Sequence, residues 1–330
     1  DGSSWTNSVN MTTARAFFAG CGTQASALAF GGITSGGPVT NATEEFTSGA
    51  SPFAAWSTGG SLPTNTQGLA GGGTQTAALA FGGETPAATE TNATNEYNGS
   101  SWTAGGNMTT ARQNLGGCGT QTAGLAFGGR TPSTTNATEE YNGSSWTAGG
   151  NLGTARRHIA GAGTQTAGLG FGGSAPAVSD GTEEYDGSSW TAGGNLPAGR
   201  YSSAGAGIQT AALSIGGTPG PVAEFSTLEY DGSSWTAGGN LNTETTRAAA
   251  SGIQTAALVF GGNPGNKAAT EKYDGSSWTT NANLNVGKSY LAGCGTQAVA
   301  LAFGGEDPSD SAVSEEYNAY GPETETITTS

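Results

Sequence analysis

Seven tryptophans spaced 43 to 51 residues apart, seven apolar-Gly-Gly endings at a matching period, and four short strand-like runs per copy predict an all-β protein. A period of roughly 40–50 residues with several strands per copy is the signature of a propeller. The expected fold is therefore a seven-bladed β-propeller of four-stranded antiparallel blades over residues 1–318, with 319–330 as a tail or linker. Trp5, Trp56, Trp102, Trp146, Trp190, Trp235 and Trp278 mark the phase. The glycine pairs end at Gly32, Gly83, Gly129, Gly173, Gly217, Gly262 and Gly305. At 330 residues the chain exceeds the roughly 250–300 over which one core usually grows. A ring escapes that limit because each blade packs only on its neighbours.

The elements follow in order within one copy. Leu115 to Thr120 is small and alternating, which suits an inner strand beside the axis. Gln121-Thr122 makes a tight connection to a second strand, Ala123 to Phe127, which stops at Gly128-Gly129. A variable loop with Pro132 leads to a third strand around Thr138 to Tyr141. Asn142-Gly143 predicts a two-residue type I′ hairpin, and the fourth strand carries Trp146 before breaking at Gly149-Gly150. The same dipeptide position is occupied by Asp1-Gly2. The chain would then open on a fourth strand and end the repeats on a third, Val313 to Tyr317. The N-terminal strand is expected to join the C-terminal blade and leave no open edge there.

Phe30, Phe81, Phe127, Phe171, Phe260 and Phe303 precede glycine pairs, and Phe46, Tyr97, Tyr141, Tyr185, Tyr230, Tyr273 and Tyr317 sit on third strands. With the tryptophans they are expected to fill the spaces between blades, each aromatic burying on the order of 150–250 Å². Cys21, Cys118 and Cys294 share one repeat position with Gly73, Ala162, Ala206 and Ser251. That position asks for a small residue, so the thiols read as packing. Asn-Ala-Thr at 41, 92 and 136 fits a glycosylation pattern, but its fixed phase fits turn chemistry equally.

Composition narrows the function classes. Twenty-five acidic against ten basic residues, net −15, argue against binding a phosphate backbone, so no nucleic-acid partner is expected. No window approaches 18 uninterrupted apolar residues, so no membrane insertion is expected. His158 is the one histidine, and metal or base-assisted nucleophilic sites usually need clusters. Glu45, Glu96, Glu140, Glu184, Glu229 and Glu316 recur once per copy, whereas catalytic residues break symmetry. The expectation is no metal, no cofactor and no enzyme activity, with an off-symmetry carboxylate pair as the one route to a hydrolase. Gln24, Gln75, Gln121, Gln165, Gln209, Gln254 and Gln297 are expected to satisfy turn backbone groups. Arg15, Arg112, Arg156, Arg200 and Lys288 are expected to pair with the recurring glutamates.

Gly128-Gly129, Tyr141, Trp146, Leu152 and Arg156 follow one another in a pattern that resembles a compact kelch repeat. The resemblance covers essentially residues 1–318. The wording Tyr-Asn-Gly-Ser-Ser-Trp-Thr-Ala-Gly-Gly further resembles kelch-like repeats of marine phage structural and tail proteins. It implies a binding or structural module at a virion surface or in an extracellular setting, touching a host surface glycan or another virion protein. It also allows a homo-oligomer within a larger assembly. The alternatives are a secreted bacterial adhesion propeller and a carbohydrate-active enzyme.

Asymmetry points to the site. Just after the Arg position the copies diverge: Ala16-Phe17, Gln67-Gly68, Gln113-Asn114, Arg157-His158, Tyr201-Ser202, Thr246-Arg247 and Ser289-Tyr290. The loops after each glycine pair also differ, as in Arg130 to Thr135 and Glu306 to Ser311, and should emerge on the same face. A face where a repetitive scaffold varies is where a binder places specificity. Phe17, Gln113, Asn114, Arg157, His158, Tyr201, Arg247 and Tyr290 are the expected ligand-binding residues.

Overall fold

The computed structural model describes residues 15–16, 19–22, 26–30, 33–34, 43–49, 54–220, 223–319 and 324–329. They fall into two compact units, one formed by Ala55–Asn318 and the other by Asp1–Ala54 with Ala319–Ser330. The larger unit is a β-propeller of four-stranded antiparallel sheets built from the repeat.

Sheet two shows why the repeat folds as it does. Gly116–Thr120, Ala123–Phe127, Thr138–Tyr141 and Trp146–Ala148 lie side by side in sequence order. Thr120 faces Ala123 across the two-residue connection at 121–122. Tyr141 faces Trp146, so the outer hairpin loop has four residues instead of the two expected. The reason is side-chain chemistry. The Asn142 Oδ1 accepts from the backbone amides of Ser144 and Ser145 and from the Ser144 hydroxyl. A short polar side chain capping its own loop replaces the mirror-image turn. Asp186, Asp231 and Asp274 do the same, and those bonds hold each carboxyl at about 2.

Six such sheets stand where seven were expected. Sheets one, three, four and five start at Ala70–Thr74, Ala160–Thr164, Ala204–Ile208 and Ala249–Ile253. Sheet six comprises Ala292–Gly295, Val299–Phe303, Ser314–Asn318 and, from the start of the unit, Ala55–Thr58. Trp56 faces Tyr317 there, as Trp102, Trp146, Trp190, Trp235 and Trp278 each face the tyrosine five residues before them. The strand expected to complete this sheet, Asp1 to Trp5, lies outside the described residues. The first copy contributes to the smaller unit. There Ala19–Gly22, Ser26–Phe30 and Thr43–Gly49 pair in order, and Thr324–Thr329 takes the fourth place.

Neighbouring sheets are joined by a repeated set of contacts. Trp146 lies edge-on to Phe81 of sheet one at 4.9 Å, and its indole N–H donates to the Thr94 hydroxyl at 2.8 Å. Trp56 meets Phe260 and Thr270 of sheet five in the same way, and Trp102 meets Phe303 and Ser314 of sheet six. Each inner-hairpin glutamine among the described residues reaches back to the preceding sheet: Gln121 donates to the carbonyls of Ala78 and Tyr97, and Gln75 to those of Ala300 and Tyr317. The glutamines thus brace sheet against sheet rather than their own turns. Cys118 and Cys294 are buried free thiols, and burial pushes both up, Cys118 to about 12.

The two recurring acids divide their duties. Glu96 accepts from the Tyr141 hydroxyl and Glu316 from that of Tyr97, both at 2.6 Å and both between sheets. Three buried cations pair instead with the residue one earlier, Arg112 with Glu139 at 2.6 Å, Arg156 with Glu183 at 2.7 Å and Lys288 with Glu315 at 3.4 Å, whereas Arg200 has Leu228 at that place and donates to the Gly216 carbonyl at 3.2 Å and the Ser226 hydroxyl at 3.1 Å. Alternate residues of a strand face opposite sides, so a one-residue step changes the partner. Asn92 and Asn136 donate their side-chain amides to the Met108 and Leu152 carbonyls at 2.9 Å, which ties together two loops sixteen residues apart in place of the local turn bonds expected.

Candidate functional site

The residue that follows the post-arginine position adopts the left-handed conformation in every sheet. Gly68, Asn114, His158, Ser202, Arg247 and Tyr290 have φ between 52° and 60°. A non-glycine residue there costs on the order of 1–2 kcal/mol. The backbone gains a continuous set of bonds in return. The amide of Asn114 donates to Gly68, His158 to Asn114, Ser202 to His158, Arg247 to Ser202, Tyr290 to Arg247 and Gly68 to Tyr290, all between 2.7 and 3.0 Å. The sequence therefore places six different side chains on one repeated backbone position around the axis.

The second variable series joins the first. In each sheet the residue after the arginine position bridges the residue after the glycine pair: Gln67 with Glu84, Gln113 with Arg130, Arg157 with Ser174, Tyr201 with Thr218, Thr246 with Asn263, and Ser289 with Glu306. Gln113, Asn114, Arg157, His158 and Tyr290 line one cavity of about 270 Å³ with Gln67, Glu84 and Arg130. A smaller pocket of about 90 Å³ at the axis shares Gly68, Asn114, His158 and Tyr290 and adds Arg247. Tyr201 packs on His158 with ring centroids 5.8 Å apart. Phe17 lies outside the described residues.

Charge is unevenly distributed around this mouth. Arg130, Arg157 and Arg247 come from sheets two, three and five, and all act electrostatically on His158. Arg247 sits over the Tyr290 ring at 4.3 Å, a cation–π contact. Arg130 reaches Glu90 at 3.6 Å. Among the described residues Arg157 and Arg247 have no carboxylate partner, and the Arg247 Nε is buried without an acceptor. Sheets six and one supply the acids. Gln113 donates to Glu84, and Asn114 donates to Gln113 at 2.8 Å. Asp310 faces Glu306 across a hairpin that turns at Pro308, and burial together with Glu84 and Glu306 pushes its carboxyl upward. Burial raises Tyr290 as well, opposed by Arg247 and assisted by Glu306 and Glu84.

Burial and the three guanidinium groups lower His158 to about 4, so the imidazole is neutral at pH 7. An unfolded histidine takes its proton near 6.5, whereas the folded one takes it only near 4. Between those values the unfolded chain binds the extra proton, and stability falls as pH falls. Asn114 holds the same backbone conformation, so His158→Asn is compatible with the fold. Between pH 7 and pH 4 the wild type should lose about 2–3 kcal/mol more than His158→Asn, because the carboxylate titrations are common to both. Equal losses in parallel denaturant titrations would show that His158 remains solvated.

Two contributors had weak signals. Arg130 and Glu84 stand in loops read only as variable, and nothing in a single copy marks them as neighbours of the axis. The left-handed ring could have been found from Gly68 and Asn114, two residues that tolerate positive φ at the same phase.

The fold defines the class: a β-propeller of repeated four-stranded blades, consistent with kelch-like repeats. Searches against protein-family models and against curated proteins matched nothing.

Proposed function

We propose that this chain is a non-enzymatic recognition module that binds through the axial mouth of the propeller. What carries the reading is the constancy of backbone and variety of side chain there. One left-handed position per sheet bears Gly, Asn, His, Ser, Arg or Tyr, while the contacts between sheets repeat nearly unchanged. The recurring Glu96, Glu140, Glu184, Glu229 and Glu316 are consumed by tyrosine hydroxyls between sheets, which supports a structural role for them. The leading setting is a virion surface or tail protein that recognises a host glycan or a neighbouring subunit, and the wording of the repeats is what supports it. In this reading Ala55–Thr58 closes a six-sheet ring by completing the last sheet.

The test is binding of the full chain to immobilised polysaccharides and host-type cells, with Tyr201→Ala/Tyr290→Asn as the comparison. Loss of tenfold or more in affinity with unchanged melting is expected. Retained affinity would move recognition away from the axis.

One observation favours a second reading. Glu84, Glu306 and Asp310 break the symmetry of the mouth, and the Asp310 Oδ2 is buried without a partner. A carboxyl pushed upward by burial beside a second carboxyl is the kind of pairing that glycoside hydrolysis uses. Sugar release in the same binding assay, abolished by Asp310→Asn, would replace the binding module with a hydrolase.

A further inference from the structure

Building on the recognition reading, we propose that the axial mouth takes a saccharide bearing a carboxylate, with its anionic group held by Arg157 and Arg247. Ten cations serve the whole chain, and Arg112, Arg156, Arg200 and Lys288 are buried within the repeat. Arg157, on the larger cavity, and Arg247, on the axial pocket, by contrast have no carboxylate partner among the described residues, and both act on His158. Two free guanidinium groups beside a neutral imidazole leave charge uncompensated in a protein of net charge −15. Guanidinium planes match carboxylates through paired N–H donors.

The acids beside these arginines decide the kind of anion. Glu84 and Glu306 face Tyr290 from sheets one and six. They would repel a second negative charge and would accept hydrogen bonds from hydroxyl groups. A polyanion, such as an acidic peptide or a sulfated chain, meets that repulsion along its length. A sugar with one carboxylate and several hydroxyls satisfies both the arginines and the acids. Gln113 and Asn114 add amide groups on the wall between them.

Titration calorimetry on the full chain with sialyllactose and digalacturonate, each beside lactose as the neutral counterpart, tests this. A carboxylated sugar should bind at least tenfold more tightly than lactose, with an advantage that shrinks as salt rises. Arg157→Gln and Arg247→Asn each place a residue that another sheet already carries at that position, so both should fold with wild-type melting. Together they should remove the advantage of the carboxylated sugar over lactose. Equal affinity for lactose would overturn the proposal and leave the recognition module standing. Tighter binding of hexaglutamate or inorganic sulfate would overturn it in favour of another anion. No binding of any probe by the wild type would overturn the proposal and count against a glycan ligand altogether.

Discussion

Glu183→Ala is expected to cost about 3–5 kcal/mol, because it strands a buried guanidinium without its counter-charge. Arg156 is 1% exposed, and Glu183 lies 2.7 Å from it. Its other nitrogen donates to the carbonyls of Gly172 and Gly181 at 2.8 and 2.6 Å. Burial lowers the guanidinium and Glu183 raises it again, so removing the acid leaves burial unopposed. The second Glu183 oxygen accepts from the Gly153 amide, so the substitution also orphans a backbone donor. The chain carries its own control. Sheet one has Thr66 at the arginine position and Asn95 at the glutamate position. Both charges are absent there and the sheet still forms. Arg156→Thr/Glu183→Asn should therefore recover most of the loss, since removing both partners of a buried pair is often close to neutral. Guanidinium-chloride unfolding of the two variants decides it. A double variant as unstable as the single would mean that the arginine acts through its carbonyl bonds alone.

Strand number per copy and inner-hairpin length were readable because each depends on residues within one copy, whereas the outer hairpin was read two residues too short because Asn142 caps a four-residue loop with its own side chain. The number of sheets depends on a distant choice. Any Trp-bearing strand finds a tyrosine opposite it, a phenylalanine beside it and a hydroxyl for its indole N–H. Trp56 meets Tyr317, Phe260 and Thr270 as well as Trp146 meets Tyr141, Phe81 and Thr94. Local energy therefore hardly separates one fourth strand from another, and counting tryptophans does not count sheets. The same limit applies to the site. The residues Gln113, Asn114, Arg157, His158 and Tyr290 were visible as breaks in the repeat, and the fold gathers them. The gathering of Glu84, Arg130 and Arg157 around one cavity was not, because it depends on which sheets end up adjacent.

That adjacency yields the sharpest expectation about the fold. Residues 54–319 contain all six sheets, including the outer strand Ala55–Thr58 that pairs with Ser314–Asn318. This segment alone should melt in one cooperative transition with its tryptophans buried. Shortening it to 59–319 removes Trp56, which is 6% exposed and packed between the rings of Phe260 and Tyr317. Loss of a buried tryptophan costs about 3–5 kcal/mol by itself. Four strand residues and their ladder to Ser314–Asn318 go with it, and an unpaired edge is left that invites association. The shorter segment should therefore be at least that much less stable and should oligomerise as concentration rises. Calorimetry with sedimentation of both segments reads the two effects separately. If 54–319 fails to fold while the full chain melts cooperatively, the last sheet takes its outer strand from residues before 54, and the ring has a seventh member.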